Sequence, residues 1–156
     1  MSLKALLTAS AAVLVFASTG IAVAQNFELD PNYGTVELTA GFTPDPFVAS
    51  VDSGGPTNAA SVGCTGFVTD APDYRLNYTA GSFPLAIGAT SSSDTTIVVN
   101  TPDGEWVCND DYDGSQGPDP LVVFSNPMSG QYDIWVGSFT EGDVQPAQLI
   151  ITEVLE

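Results

Sequence analysis

Histidine is absent from all 156 residues, and lysine and arginine together number two against nineteen aspartates and glutamates. Without an imidazole there is no Ser-His-Asp or Cys-His nucleophile. The only lysine, Lys4, sits in an apolar N-terminal stretch, so a Ser-Lys dyad fails as well. Cysteine is reduced to Cys64 and Cys108, with no Cys-x-x-Cys and no histidine beside them, which leaves zinc and thiol catalysis without ligands or activators. Nor is there a basic patch, and this argues against nucleic acid and anionic membrane surfaces as partners. Beyond the N-terminal stretch no apolar run is long enough to span a bilayer, and no helical periodicity appears.

What is present begins with a leader. Met1–Lys4 is a short basic region, Ala5–Val23 is apolar and small, and Ala22-Val23-Ala24 fits an A-x-A cleavage site. Ser10, Ser18, Thr19 and Gly20 dilute the run below what a stable membrane span prefers. Cleavage after Ala24 is expected, with residues 25–156 forming one secreted or periplasmic domain. That domain carries nineteen acids and the single cation Arg75, a net charge of −18. Its ligands are expected to be cations, cationic partners or neutral surfaces; the alternative is that the charge serves only solubility. In an oxidising compartment Cys64 and Cys108 are expected to form a disulfide, and closing that loop of about 45 residues removes about 4 kcal/mol of denatured-chain entropy.

The mature chain follows period two. Val36 and Leu38 alternate with Thr35, Glu37 and Thr39; Tyr74, Leu76 and Tyr78 alternate with Arg75 and Asn77; Tyr132, Ile134 and Val136 do the same. Further strands are expected over Phe47–Val51, Leu85–Thr90, Thr95–Asn100, Glu105–Cys108, Leu121–Ser125 and Gln148–Val154. Between them lie turn formers such as Gly54-Gly55-Pro56, Pro102-Asp103-Gly104 and Ser129-Gly130. Eight or nine short strands without a helix predict an all-β, antiparallel, jelly-roll-like β-sandwich. Leu38-Thr39-Ala40-Gly41-Phe42 is echoed by Tyr78-Thr79-Ala80-Gly81-Ser82-Phe83, and we read this as one strand-ending turn used twice.

Asp94–Asp111 runs as a hydrophobic strand, a Pro102-Asp103-Gly104 turn, a second strand and the acidic Asn109-Asp110-Asp111, which predicts a hairpin. Downstream come Gly130-Gln131-Tyr132-Asp133-Ile134-Trp135-Val136-Gly137 and a closing strand over Ala147–Val154. In that order, from about Asp94 to Glu153, these pieces resemble the bacterial pre-peptidase C-terminal domain family. The resemblance implies a jelly-roll-like sandwich that usually ends a secreted peptidase and sometimes binds calcium or a polymeric substrate. No peptidase precedes the domain in this sequence, and the missing imidazole argues against proteolysis here.

Asn109-Asp110-Asp111-Tyr112-Asp113-Gly114 spaces its oxygens like the opening half of an EF-hand loop, which points to calcium. The position of the closing glutamate falls on Pro120, so Asp119 or a distant carboxylate would complete the shell. The candidate calcium ligands are therefore Asn109, Asp110, Asp111, Asp113 and Asp119; otherwise the stretch is a solvated acidic loop. Most aromatics fall within strands and are expected in the core, whereas Trp106 and Tyr112, beside the acidic loop, are candidates to face a ligand. The chain reads as a non-enzymatic, exported binding or structural module with a protein or polysaccharide partner. Alternatives are a self-assembling surface or filament subunit, pairing through edge strands or the segment Gln25–Tyr33, and a carbohydrate-binding module. A last alternative is a carboxylate hydrolase drawing on acids such as Asp45, Glu105 and Asp133.

Overall fold

Alternation of apolar and polar residues does build two packed sheets. The computed structural model describes residues 25–112 and 119–155; the expected leader, 1–24, and the candidate ligand Asp113 lie outside the described residues. Eleven strands follow one another: β1 Gly34–Thr39, β2 Phe47–Ser53, β3 Thr57–Asn58, β4 Phe67–Val68, β5 Tyr74–Thr79, β6 Leu85–Ser91, β7 Thr95–Asn100, β8 Trp106–Asn109, β9 Leu121–Phe124, β10 Gly130–Ser138 and β11 Gln145–Thr152. Strands β3 and β4 are the two that period-two reading does not find, since two residues each are too short to show a period. The β11 strand also starts three residues before the expected Gln148, because Pro146 interrupts the sequence signal without interrupting the pairing.

Strand β10 is the hub of the larger sheet. Its first half pairs with β5, its last residue Ser138 pairs with Phe67 of β4, and along Asp133–Ser138 its other edge pairs with β7, outside which lies β8. The smaller sheet runs β2-β11-β6-β9. Leu76, Tyr132, Ile134, Val136 and Ile97 from the first sheet meet Leu85, Ile87, Leu149 and Ile151 from the second, and this interlayer is the main core. The expected hairpin forms: Gly104, at φ +83°, closes the β7–β8 turn by donating to the Thr101 carbonyl at 2.9 Å.

One pair departs from the antiparallel pattern. Strand β1 runs parallel to β5, in a register that sets Leu38 beside Tyr78 and Thr39 beside Thr79. The echo of Leu38–Phe42 in Tyr78–Phe83 thus lies side by side in space, and the two copies of the turn leave the sheet together. Ala40 N–H continues the pairing by donating to the Thr79 carbonyl at 2.9 Å.

A second, smaller core sits on the outer face of the larger sheet. Because β10 alternates, its Ile134 and Val136 point into the sandwich while Trp135 points out, and Trp135 is nonetheless fully buried. It packs with Ala59, Cys64, Val68 and Val98 under the loop that contains β3, the 3-10 turn Ala59–Val62 and β4. The expected disulfide closes this lid: Cys64 bonds Cys108 of β8 across a Cα separation of 5.9 Å. Trp106 stacks on Trp135 at 5.3 Å and Phe27 on Trp106 at 6.4 Å, so Trp106 is packing here and not an outward platform.

The segment Gln25–Tyr33 is bonded to its own chain. Asn26, Asn32 and Tyr33 donate their amides to the carbonyls of Asp70, Pro72 and Asp73 at 2.8–2.9 Å. Arg75 holds it most directly: Nη2 donates to the carbonyls of Phe27, at 2.7 Å, and Leu29, at 3.0 Å, while Nε pairs with Asp133 at 2.6 Å. This corrects the expectation of a segment available to pair with a neighbouring molecule. Asp133 is 2% exposed and also accepts from Gln131 Nε2 at 2.7 Å. Replacing one partner of such a pair strands the other charge, so Arg75→Met is expected to cost about 3 kcal/mol in urea unfolding and to open Gln25–Tyr33 to proteolysis. An unchanged midpoint with the segment still protected would refute this account of the anchor.

Candidate functional site

After β8 the chain leaves the larger sheet and crosses to β9 in the smaller one, and this crossover carries the acidic run. Asn109 braces its base: Oδ1 accepts from Leu121 N–H at 3.0 Å, and Nδ2 donates to the Asp111 carbonyl at 3.2 Å. Tyr112 N–H donates to the Asp119 carbonyl at 3.3 Å, bringing the two flanks of the crossover together. Asp110 Oδ1 accepts from Asp111 N–H at 3.1 Å. The Asp119 Oδ1 atom is buried without a hydrogen-bond partner.

A carboxylate that the motif did not include joins them. Asp94, just before β7, has its pKa raised by partial burial and then by the charges of Asp111 and Asp110. The hairpin explains why: the register that pairs Ile97 with Asn109 brings the start of β7 alongside the end of β8. All these donors are oxygens, which is calcium's preference. Among the described residues, however, no three acidic, histidine or cysteine side chains converge as a ready-made metal cage. The trio Asp94, Asp110 and Asp111 is a zone of mutual repulsion, with Asn109's oxygen already committed to the backbone.

On the other side of the crossover lies a groove of about 510 Å³ on the outer face of the smaller sheet, lined by Gly88, Thr90, Tyr112, Asp119, Leu121 and Ile150, among others. The register sets Val48, Ile150, Gly88 and Leu121 in one row across the four strands. Gly88 lets β9 close tightly over β6 at the groove's floor, since a Cβ there would lie 2.8 Å from Leu121 Cδ1 and 2.7 Å from the Pro120 carbonyl. Tyr112 is 46% exposed and stands at the groove's wall. Tyr112 and Trp106 thus do not share a face: Trp106 is packed on the outer side of the other sheet.

The three carboxylates singled out for hydrolysis are also kept apart. Asp133 is held by Arg75, Glu105 is exposed in the β7–β8 hairpin, and Asp45 lies at the end of the sandwich, where its Oδ2 accepts from Glu153 N–H at 3.2 Å. The acid nearest Asp45 is Glu153, which accepts from Gly41 N–H at 2.7 Å and from the Tyr78 hydroxyl at 2.5 Å. With Phe42, Phe83, Val154 and Leu155 these two acids line a second depression of about 530 Å³. Sequence alternation does not reveal this site, because its residues come from three separate strand ends.

No family model and no curated protein matches the chain. Among solved structures it is similar to PliG, a periplasmic lysozyme inhibitor of g-type lysozyme from Aeromonas hydrophila, with a TM-score of 0.40 and 16% identity over 76% of this chain and 96% of that one.

One acid is perturbed far more than those of the crossover. Asp73 is fully buried and its pKa is pushed up to about 6 by desolvation, against the lowering effect of hydrogen bonds from Val136 N–H, at 2.8 Å, Asn32 and Thr69. A pKa above the unfolded value of 3.8 means that the folded state holds the proton more tightly. Its stabilising effect is therefore complete below about pH 4 and is lost as pH rises through 6, on the order of 3 kcal/mol in all. Unfolding free energy is expected to fall between pH 4 and 6, and Asp73→Asn to flatten that slope, since the amide can accept from Val136 and donate to Thr69. An identical slope in the variant would assign the pH dependence to other groups.

Proposed function

We propose that this chain is an exported, non-catalytic binding module, related to the pre-peptidase C-terminal domains it resembles, that binds a neutral polysaccharide on the outer face of its smaller sheet. The observation that carries the reading is the Gly88 groove with Tyr112 at its wall: an aromatic face beside a depression built on paired strands, which hold their shape better than loops do. Thr90 and Asp119 add polar groups to a lining that is otherwise apolar or aromatic, the mixture that suits a sugar ring with one apolar face and a polar edge. A neutral polymer also avoids the repulsion that a chain of net charge −17 presents to acidic ligands. The lack of histidine and of any lysine beyond Lys4 supports the non-catalytic part.

Calcium is proposed as a weak stabiliser of the crossover through Asp94, Asp110 and Asp111, on the observation that their charges already disfavour one another. Three carboxylates without a preformed cage suit the millimolar affinities of extracellular modules.

Both parts are testable. In affinity electrophoresis against a panel of neutral polysaccharides, retardation by at least one polymer is expected, with about tenfold weaker binding for Tyr112→Ala, the loss of one aromatic anchor. Free migration across the panel would end the glycan reading. Tryptophan fluorescence is the wrong probe, because both indoles pack on the other sheet. Calcium at about ten times its dissociation constant should raise the melting temperature by roughly 3–6 °C, and Asp94→Asn should blunt the rise. A rise equalled by sodium chloride of the same ionic strength would reduce the effect to screening.

A further inference from the structure

Gln25 is the first residue that the Ala22-Val23-Ala24 site would expose, and it is buried to 6% exposure while most of the segment after it faces solvent. Its Oε1 accepts from the Ser61 hydroxyl at 2.9 Å. Its Nε2 is buried and has no hydrogen-bond partner among the described residues. An amide nitrogen brings two donors, and neither is used here. The neighbouring backbone is fixed: Asn26 donates its amide to the Asp70 carbonyl at 2.8 Å, and its own Oδ1 accepts from Glu28 N–H at 2.9 Å. One half of this side chain thus fits its site, and the other half has no place in it.

We propose that the mature N-terminus is a pyroglutamyl ring made from Gln25. The inference rests on the export reading, because the ring needs the α-amine that leader cleavage releases. That nitrogen attacks Cδ of its own side chain; the N–Cδ bond forms, the Cδ–Nε2 bond breaks, and Nε2 departs as ammonia with one proton from the amine. No oxidant or cofactor enters. The lactam retains a carbonyl oxygen as an acceptor for the Ser61 hydroxyl and expels the side-chain atom that has no partner. It also replaces the terminal ammonium by a neutral amide, so that Arg75 remains the only cation of the mature domain.

The test is mass spectrometry of the N-terminal peptide of the exported protein, with melts of the closed and open forms separated by chromatography. The expected result is a peptide that starts at residue 25 and is lighter by one ammonia than the glutamine form, in a protein that melts roughly 2–6 °C above the open form, as removal of a buried unpaired donor implies. An unmodified glutamine that persists on incubation, a first residue other than 25, or a closed form that melts no higher overturns the ring and leaves export standing. A chain that still carries its leader overturns export and the ring together.

Discussion

The ion pair between Arg75 and Asp133 is the contact on which the outer half of this molecule depends. The two residues face each other across β5 and β10, on the side of the larger sheet that looks away from the main core. Asp133 is almost fully buried there, a position an isolated carboxylate does not tolerate. The guanidinium meets that need with Nε and spends Nη2 on two carbonyls of the N-terminal segment, a division of labour that a lysine could not reproduce. Through Phe27 the same segment reaches Trp106 and Trp135, so the one cation also helps to seal the second core.

That second core settles which surfaces remain for ligands. A strand between two apolar layers must be apolar on both sides, and β10 is buried from Tyr132 to Ser138. The disulfide lid and the N-terminal segment cover one end of the larger sheet, while the other end carries the solvated row Glu37, Asn77 and Gln131. Across the smaller sheet the outer row runs from exposed Val48 through half-buried Ile150 and buried Gly88 to half-buried Leu121, with Tyr112 at the groove's wall, and the proposed binding face is drawn there.

Much of the sandwich was legible because half-buried strands must alternate. Thr95–Asn100 was read to the residue, and the Pro102-Asp103-Gly104 turn fixed the hairpin. The two-residue strands β3 and β4 were not legible, since their place is dictated by packing on Trp135 and by the Cys64–Cys108 bond and not by any period. The parallel pairing of β1 and β5 did leave a trace, the repeated Thr-Ala-Gly, which one strand-ending turn used twice explains only in part. The acidic crossover is half legible: the Asn109–Asp111 run marks where acids follow β8, but Asp94 becomes their neighbour only once the hairpin register is followed past Asn109. Gly88, an isolated glycine inside a strand, was the available sign of the groove.

A chain whose described residues hold Arg75 as their one basic side chain must satisfy most of its buried acids by other means, and how it does so separates structural carboxylates from available ones. Asp133 takes the cation. Asp73 takes a backbone amide, Asn32 and Thr69, and its pKa still rises, because neutral donors offset only part of the desolvation. Glu153 takes the Tyr78 hydroxyl and the Gly41 amide. Each of these is already bonded within the fold and has little left to offer a ligand. Asp94, Asp110 and Asp111 differ: they are gathered by the hairpin and repel one another, and among the described residues the side-chain hydrogen bond they make is the one Asp110 accepts from the next amide. With no cation of the described chain beside them, these carboxylates are relieved by a proton or by an ion from the surroundings, which is why calcium is proposed at the crossover and not at the buried acids.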